Sequence, residues 1–293
     1  MAVDASFLDQ VKHLHFVIRK KVSALYTGGR PSTKYGSGIE PLDYREYFPG
    51  DDFRNIDWKV YGRTEKLYIR RFEEDKNLIL HLLVDSSKSM DFGLKGNRKF
   101  DYASNLAAGF GFLTVVNNEE FGIGLYSKQL MQTLGAERTK THLFQTIDIL
   151  NNAKLEGETN FGTATSQYSR MIKSKSFIVV LSDFLEPMDS LKEGILRIAK
   201  QSKELIMIQV LDPGEVNLEW SEDVNFEDME SGGHKRTFLS PNFKKEYNER
   251  VTEHIKELNG ICDDVGADFH SVRTNTPIFD CFVSLLGGGR SHV

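Results

Sequence analysis

Asp85, Ser87 and Ser89 stand at alternate positions in Asp85-Ser86-Ser87-Lys88-Ser89-Met90. A carboxylate followed by hydroxyls two and four residues on offers three hard oxygens from one turn. Such a set suits Mg²⁺, which keeps several waters and takes few protein ligands. Taken alone, the same residues also make ordinary turns and helix caps. Two later loops carry oxygens of the same kind. Gly157-Glu158-Thr159-Asn160-Phe161-Gly162 offers the Thr159 hydroxyl, and Ser182-Asp183-Phe184 offers a second carboxylate. Thr159 alone reads equally as an N-cap, and Asp183 equally as a strand-end turn.

These loops need strands to place them. The run from Leu78 to Val84 is short and mostly apolar, which predicts a strand buried on both faces with Asp85 at its carboxyl end. Open α/β sheets bind ligands at that end. Ser176 to Leu181 predicts a second buried strand that delivers Asp183 in the same way. Strands at Phe121–Ser127, Leu205–Leu211 and Ala267–Val272 alternate with helices at Asn97–Val116, Lys140–Leu150, Phe161–Ile172, Ser190–Ser202, Pro241–Leu258 and Ile278–Leu286. This alternation predicts an α/β fold with a doubly wound, mainly parallel sheet. Helical spacing of Phe7, Val11, Leu14, Val17 and Ile18 predicts an N-terminal helix over Ser6–Tyr26.

Composition narrows the function classes. The 293 residues are 40% hydrophobic and 27% charged, as in ordinary soluble domains. A formal net charge of −5 argues against general nucleic-acid affinity. Cys262 and Cys281 lie far apart and form neither a redox pair nor a zinc spacing, which fits buried thiols in a reducing cytoplasm. The N-terminus lacks a signal pattern and no apolar run approaches a membrane span, so a cytoplasmic protein without a membrane anchor is expected. The Gly-x-Gly at Gly122 to Gly124 lacks a third glycine and a following helix, so it is not a nucleotide loop. No nucleophile elbow, zinc-protease motif or phosphate loop occurs, and Ser87 stands where an aspartate-based phosphotransferase wants its second carboxylate. His81, inside the first strand, reads as a core histidine. Glu215 to Glu230 holds seven acids and no Lys or Arg, and reads as a solvated acidic hairpin with Lys235–Phe238.

Residues 30 to 77 follow no helical period. Ten basic and ten acidic residues lie between Arg30 and Lys76, balanced and dense. Pro49-Gly50 marks a turn. Ile56 and Trp58 read as buried anchors among Asp52, Arg54 and Asp57, whose charges then need partners. An ion-paired staple is the plain expectation there, and a partner surface the sharper one.

The pattern Asp85-x-Ser87-x-Ser89 resembles the metal-ion-dependent adhesion site of von Willebrand factor A domains. That resemblance implies that Ser87, Ser89 and Thr159 bind a metal through their hydroxyls, with Asp85 and Asp183 acting mostly through bound water. It also implies that the ion, Mg²⁺ with Mn²⁺ or Ca²⁺ as substitutes, takes a carboxylate from a partner protein. The string Tyr47-Phe48-Pro49-Gly50-Asp51-Asp52-Phe53-Arg54-Asn55-Ile56-Asp57-Trp58, with Arg63-Thr64 and the later Val84–Met90, resembles the signature of a bacterial family called domain of unknown function fifty-eight. The match runs from about Gly36 to the Asp183 loop and more loosely beyond. Tyr61-Gly62-Arg63-Thr64 departs from it, since an Ala before Arg-Thr is commoner. The resemblance implies a von Willebrand factor A-like, Rossmann-type domain over 78–293. An N-terminal helix and a family-specific β-rich segment would occupy 1–77. It further implies a non-enzymatic adaptor whose partner is a MoxR-type AAA+ ATPase or its client. A metal-dependent phosphoesterase and a metal-free interaction scaffold are the alternatives.

Overall fold

Six strands build the central sheet, in the spatial order Asp268–Arg273, Ser202–Leu211, Ser176–Ser182, Leu80–Asp85, Phe121–Tyr126 and Leu130–Glu137. The computed structural model describes residues 3, 6–12, 35–49, 51, 53–73, 79–217, 223–227, 234–238 and 241–286. It divides into two units, one formed by Met1–Val22 with Leu78–Val293 and the other by Ser23–Asn77. The first helix, α1, is described over residues 6–12. The remainder of the helix expected up to Tyr26 lies outside the described residues. This helix belongs to the larger unit rather than with the charged segment, because Phe7 packs edge-on against Phe282 at 5.5 Å.

The smaller unit is β-rich. β1 (Tyr35–Glu46) pairs antiparallel with β2 (Tyr68–Glu73), and the short helix α2 (Trp58–Thr64) lies between them in sequence. Asp57 caps α2 by accepting from the Lys59 and Val60 amides at 2.9 and 3.2 Å. Arg45 pairs with Asp51 at 2.6 Å. Ile56 is buried as expected, but Trp58 is 62% exposed. The reason is local: Asp57 must face the amides of the first turn, which turns the next side chain outward.

In the larger unit, β3 (Leu80–Asp85), β4 (Phe121–Tyr126), β6 (Ser176–Ser182), β7 (Ser202–Leu211) and β10 (Asp268–Arg273) run parallel. β3, β4 and β6 are buried at every position. β5 (Leu130–Glu137) is an antiparallel edge strand that hydropathy alone does not reveal, since none of its residues is buried. Helices α3 (Lys99–Val116), α4 (Lys140–Asn151) and α9 (Ile278–Leu286) cover one face. Helices α5 (Phe161–Tyr168), α6 (Met188–Ala199) and α8 (Pro241–Val265) cover the other, where Leu83, Ile178 and Val180 pack with Phe161, Ile195 and Leu258. The short helix α7 (Pro213–Asn217) follows β7 after Asp212. A separate hairpin joins β8 (Asp223–Glu227) and β9 (His234–Phe238). His81 sits buried in β3, bonded to the Tyr168 hydroxyl at 2.9 Å, and burial holds its pKa down at about 4. Cys262 and Cys281 are buried free thiols.

The chain leaves β3 through α3 on one face and leaves β6 through α6 on the other. β3 and β6 are neighbours. Their carboxyl ends therefore mark the reversal of strand order, where a crevice opens in this class of sheet.

Candidate metal centre

Asp85 and Asp183 emerge at that reversal. Register pairs Val84 with Leu181, so the two strands end level with each other. Asp85 is fully buried; its Oδ1 accepts the Ser87 amide at 2.8 Å, and its Oδ2 accepts the Ser182 hydroxyl at 2.6 Å. The Ser87 and Ser89 hydroxyl oxygens lie 3.0 Å apart. The Ser89 side chain also bonds the Asp183 carboxylate. Asp183 receives the Leu185 amide on Oδ1 at 3.2 Å and the Lys99 ammonium on Oδ2 at 2.8 Å. Thus Asp85, Ser87, Ser89 and Asp183 form one cluster.

The loop that carries Thr159 is tied by its backbone to the first loop and to Ser127. The Glu156 amide donates to Ser86 O at 3.2 Å, the Lys88 amide to Gly157 O at 3.0 Å, and the Asn160 amide to Ser127 O at 3.0 Å. Gly157 holds a φ of +81°, a conformation that favours glycine and lets the loop turn back onto the first. The cap of α5 is Asn160, whose side chain accepts the Thr163 amide at 2.7 Å, so capping is not the work of Thr159. Glu186 fastens the third loop to the second by accepting the Phe161 amide at 3.0 Å and the Ser190 hydroxyl at 2.7 Å.

The Phe161 ring that starts α5 is wholly buried, and a Cβ built on Gly194 of α6 meets it at 2.4 Å. Ala in a helix gains about 1 kcal/mol over Gly. Overpacking of a closed core costs roughly 1–3 kcal/mol. Gly194→Ala should therefore lower stability, read as a reduced urea midpoint, because the ring has no space to yield.

Electrostatics separate the two carboxylates. Burial, then repulsion from Asp183, raises the Asp85 pKa to about 7, with partial relief from Ser182 and Ser87. Burial would raise Asp183 as well, but Lys99 outweighs it and the pKa falls below the usual value. Lys99 is wholly buried and also bonds Glu215 at 2.6 Å. Burial opposes its charge, yet Asp183 and Glu215 prevail and its pKa rises. Sequence reasoning missed Lys99, Ser182, Glu186 and Glu215. Glu215, expected on a solvated acidic face, instead turns inward to Lys99.

The residues fit a divalent cation on three counts. Adjacent ligands of an octahedral ion at about 2.1 Å stand about 3 Å apart, which is the Ser87–Ser89 spacing. Ionised Asp85, Asp183 and Glu215 with Lys99 leave two negative charges, the complement of a divalent ion. The buried Tyr126 hydroxyl adds a further oxygen beside Asp85, Asp183 and the Ser182 hydroxyl, so the pocket is lined by hard donors. Among the described residues no group of three or more His, Cys, Asp or Glu is arranged to bind a metal, so any metal site here depends on hydroxyls.

The chain thus carries a doubly wound, mainly parallel sheet with an oxygen-rich cluster at its reversal point. The chain matches the family described as "Protein of unknown function DUF58" over residues 43–257 and belongs to that family. It is 28% identical over 275 residues to uncharacterized proteins of Mycobacterium bovis and Mycobacterium tuberculosis, covering 93% of this chain and 86% of theirs. Among solved structures it is similar to the conserved hypothetical protein BatB from Bacteroides thetaiotaomicron, at 12% identity and a TM-score of 0.46 over 72% of this chain and 100% of that one. It is also similar to the SpRpn10 VWA domain, at 13% identity and a TM-score of 0.44 over 74% and 98% of the two chains. Among the described residues no helix is long and apolar enough to cross a membrane.

Proposed function

We propose that this protein is a cytoplasmic adaptor that binds a carboxylate of a partner protein through a Mg²⁺ ion. Ser87, Ser89 and Thr159 would hold the ion, with Asp85 and Asp183 behind them through water. The observation that carries the reading is the 3.0 Å pair of seryl oxygens set against two buried carboxylates. When bound, the ion supplies an electron-poor centre with a position open to an outside oxygen. The chain's own residues hold the hydroxyls together and fasten the two carboxylates beside them through the Ser87 amide, Ser89, Ser182 and Lys99. This is recognition rather than turnover. The partner we propose is a MoxR-type AAA+ ATPase or its client, in assembly or maturation.

A second reading has its own support. Phe48, Phe53 and Trp58 of the smaller unit are 61%, 64% and 62% exposed. They favour a metal-free scaffold working through that surface. Capture of a MoxR-type ATPase by the immobilised protein, in Mg²⁺ and in EDTA, separates the two. The adaptor reading expects retention to fall at least about tenfold in EDTA or on Ser87→Ala with Ser89→Ala, the loss of one strong contact, while Trp58→Ala leaves it unchanged. Retention insensitive to EDTA but lost with Trp58→Ala would favour the scaffold.

A further inference from the structure

We propose that Lys99 determines the specificity of the metal centre by neutralising Asp183, so that a bound ion keeps surplus positive charge for an outside acid. This rests on the metal reading above. Lys99 opens α3, the helix that follows the first ligand loop, and its side chain is wholly buried. Its ammonium stands 2.8 Å from Asp183 Oδ2 and 2.6 Å from Glu215 Oε1. The other oxygen of Glu215 accepts the Asp212 amide at 3.1 Å, which fixes that carboxylate beside Lys99. Asp183 is thus shared between Ser89 on one flank and a fixed internal cation on the other.

The consequence follows from Coulomb's law at short range in a poorly solvated site. An ion held by Ser87 and Ser89 meets only one carboxylate, Asp85, without its own counter-charge. Two full carboxylates would satisfy a divalent ion and leave little attraction for a third from outside. Lys99 removes one from that balance and also holds Asp183 back from direct ligation. Glu215 offsets the Lys99 charge over the cluster as a whole, so the effect is a local weakening of the field at Asp183 and not a change in the site's net charge.

Two variants are expected to move metal affinity in opposite directions. Glu215→Gln frees the ammonium to act on Asp183 alone and should weaken Mg²⁺ binding, measured by calorimetry, by about three- to tenfold. Lys99→Met with Glu215→Gln keeps the cluster's net charge but releases Asp183 to the ion, and should tighten Mg²⁺ by about tenfold or more. The outside ligand is read separately, as relaxation of ¹³C-acetate by the Mn²⁺-loaded protein. It should persist in Glu215→Gln and disappear in the double variant. A purely structural ion pair predicts no such division of sign. Affinities within twofold of wild type in both variants, or shifts in the same direction, would overturn the assignment. Should the double variant not fold, Glu215→Gln decides alone: unchanged or tighter Mg²⁺ binding overturns it. Wild-type protein that takes up no Mg²⁺ at millimolar concentration overturns the metal reading, a result distinct from any change between variants.

Discussion

Lys99→Met is expected to cost the metal-free protein about 3–5 kcal/mol, the loss typical of removing one partner from a buried ion pair. Lys99 is wholly enclosed and serves two carboxylates, so its removal strands Asp183 and leaves Glu215 half-buried without a cation. Domains of this kind hold only about 5–15 kcal/mol in all, so the variant should stand near the edge of folding. Urea denaturation in EDTA, followed by circular dichroism, measures the effect. The neighbouring Arg98 provides the contrast. It pairs with Asp91 and Asp101 at 3.1 and 2.8 Å but is 41% exposed. Exposed pairs contribute about 0–1 kcal/mol, so Arg98→Met should shift the midpoint little. Equal losses in the two variants would show that the Lys99 cluster is hydrated, and the charge argument built on it would fail.

The second large effect is a pH dependence that Mg²⁺ reverses. Asp85 titrates near 7 in the folded metal-free state against 3.8 as its ordinary value. An acid raised in this way favours the folded state below the ordinary value and loses that contribution as pH climbs through the folded one. The loss between pH 4 and 8 amounts to roughly 4 kcal/mol. Asp85→Asn removes the titration, so the variant should be less stable than wild type in EDTA at pH 5 relative to pH 8. The difference between the two proteins isolates Asp85 from His81, whose lowered pKa acts in the opposite sense by weakening the fold in acid. With Mg²⁺ present the ionised carboxylate gains its partner, and wild type should gain stability above pH 7 while Asp85→Asn does not. Thermal unfolding in EDTA and in Mg²⁺ at pH 5 and pH 8 gives the four values for each protein. A wild-type response to Mg²⁺ as strong at pH 5 as at pH 8 would contradict the burial of Asp85 as an acid.

The sheet was legible because its inner strands are apolar at nearly every position, and only double burial asks for that. Leu80–Asp85 and Ser176–Ser182 needed no partner to be recognised. β5 escaped because an edge strand in contact with water carries residues such as Gln132, Thr133 and Glu137 that any loop tolerates. Trp58 was misplaced because an indole reads as core by type, whereas the capping geometry of Asp57 directs it outward. Of the candidate site, the residues within one turn were readable from spacing, since Asp85, Ser87 and Ser89 are close in sequence. Their supports were not. Lys99 and Arg98 are adjacent basic residues, and nothing in sequence says that one is buried across 84 residues from Asp183 while the other lies at the surface. Glu215 sits in a run of acids and is told apart only by the helix that turns it inward.

The backbone bonds from Glu156 to Ser86 and from Lys88 to Gly157 make the first and second ligand loops a single jaw. Their oxygens are gathered while the chain folds, not when an ion arrives. Preorganisation of this sort transfers the ordering entropy from association to folding, so such a site can release and recapture its ion without rebuilding its walls.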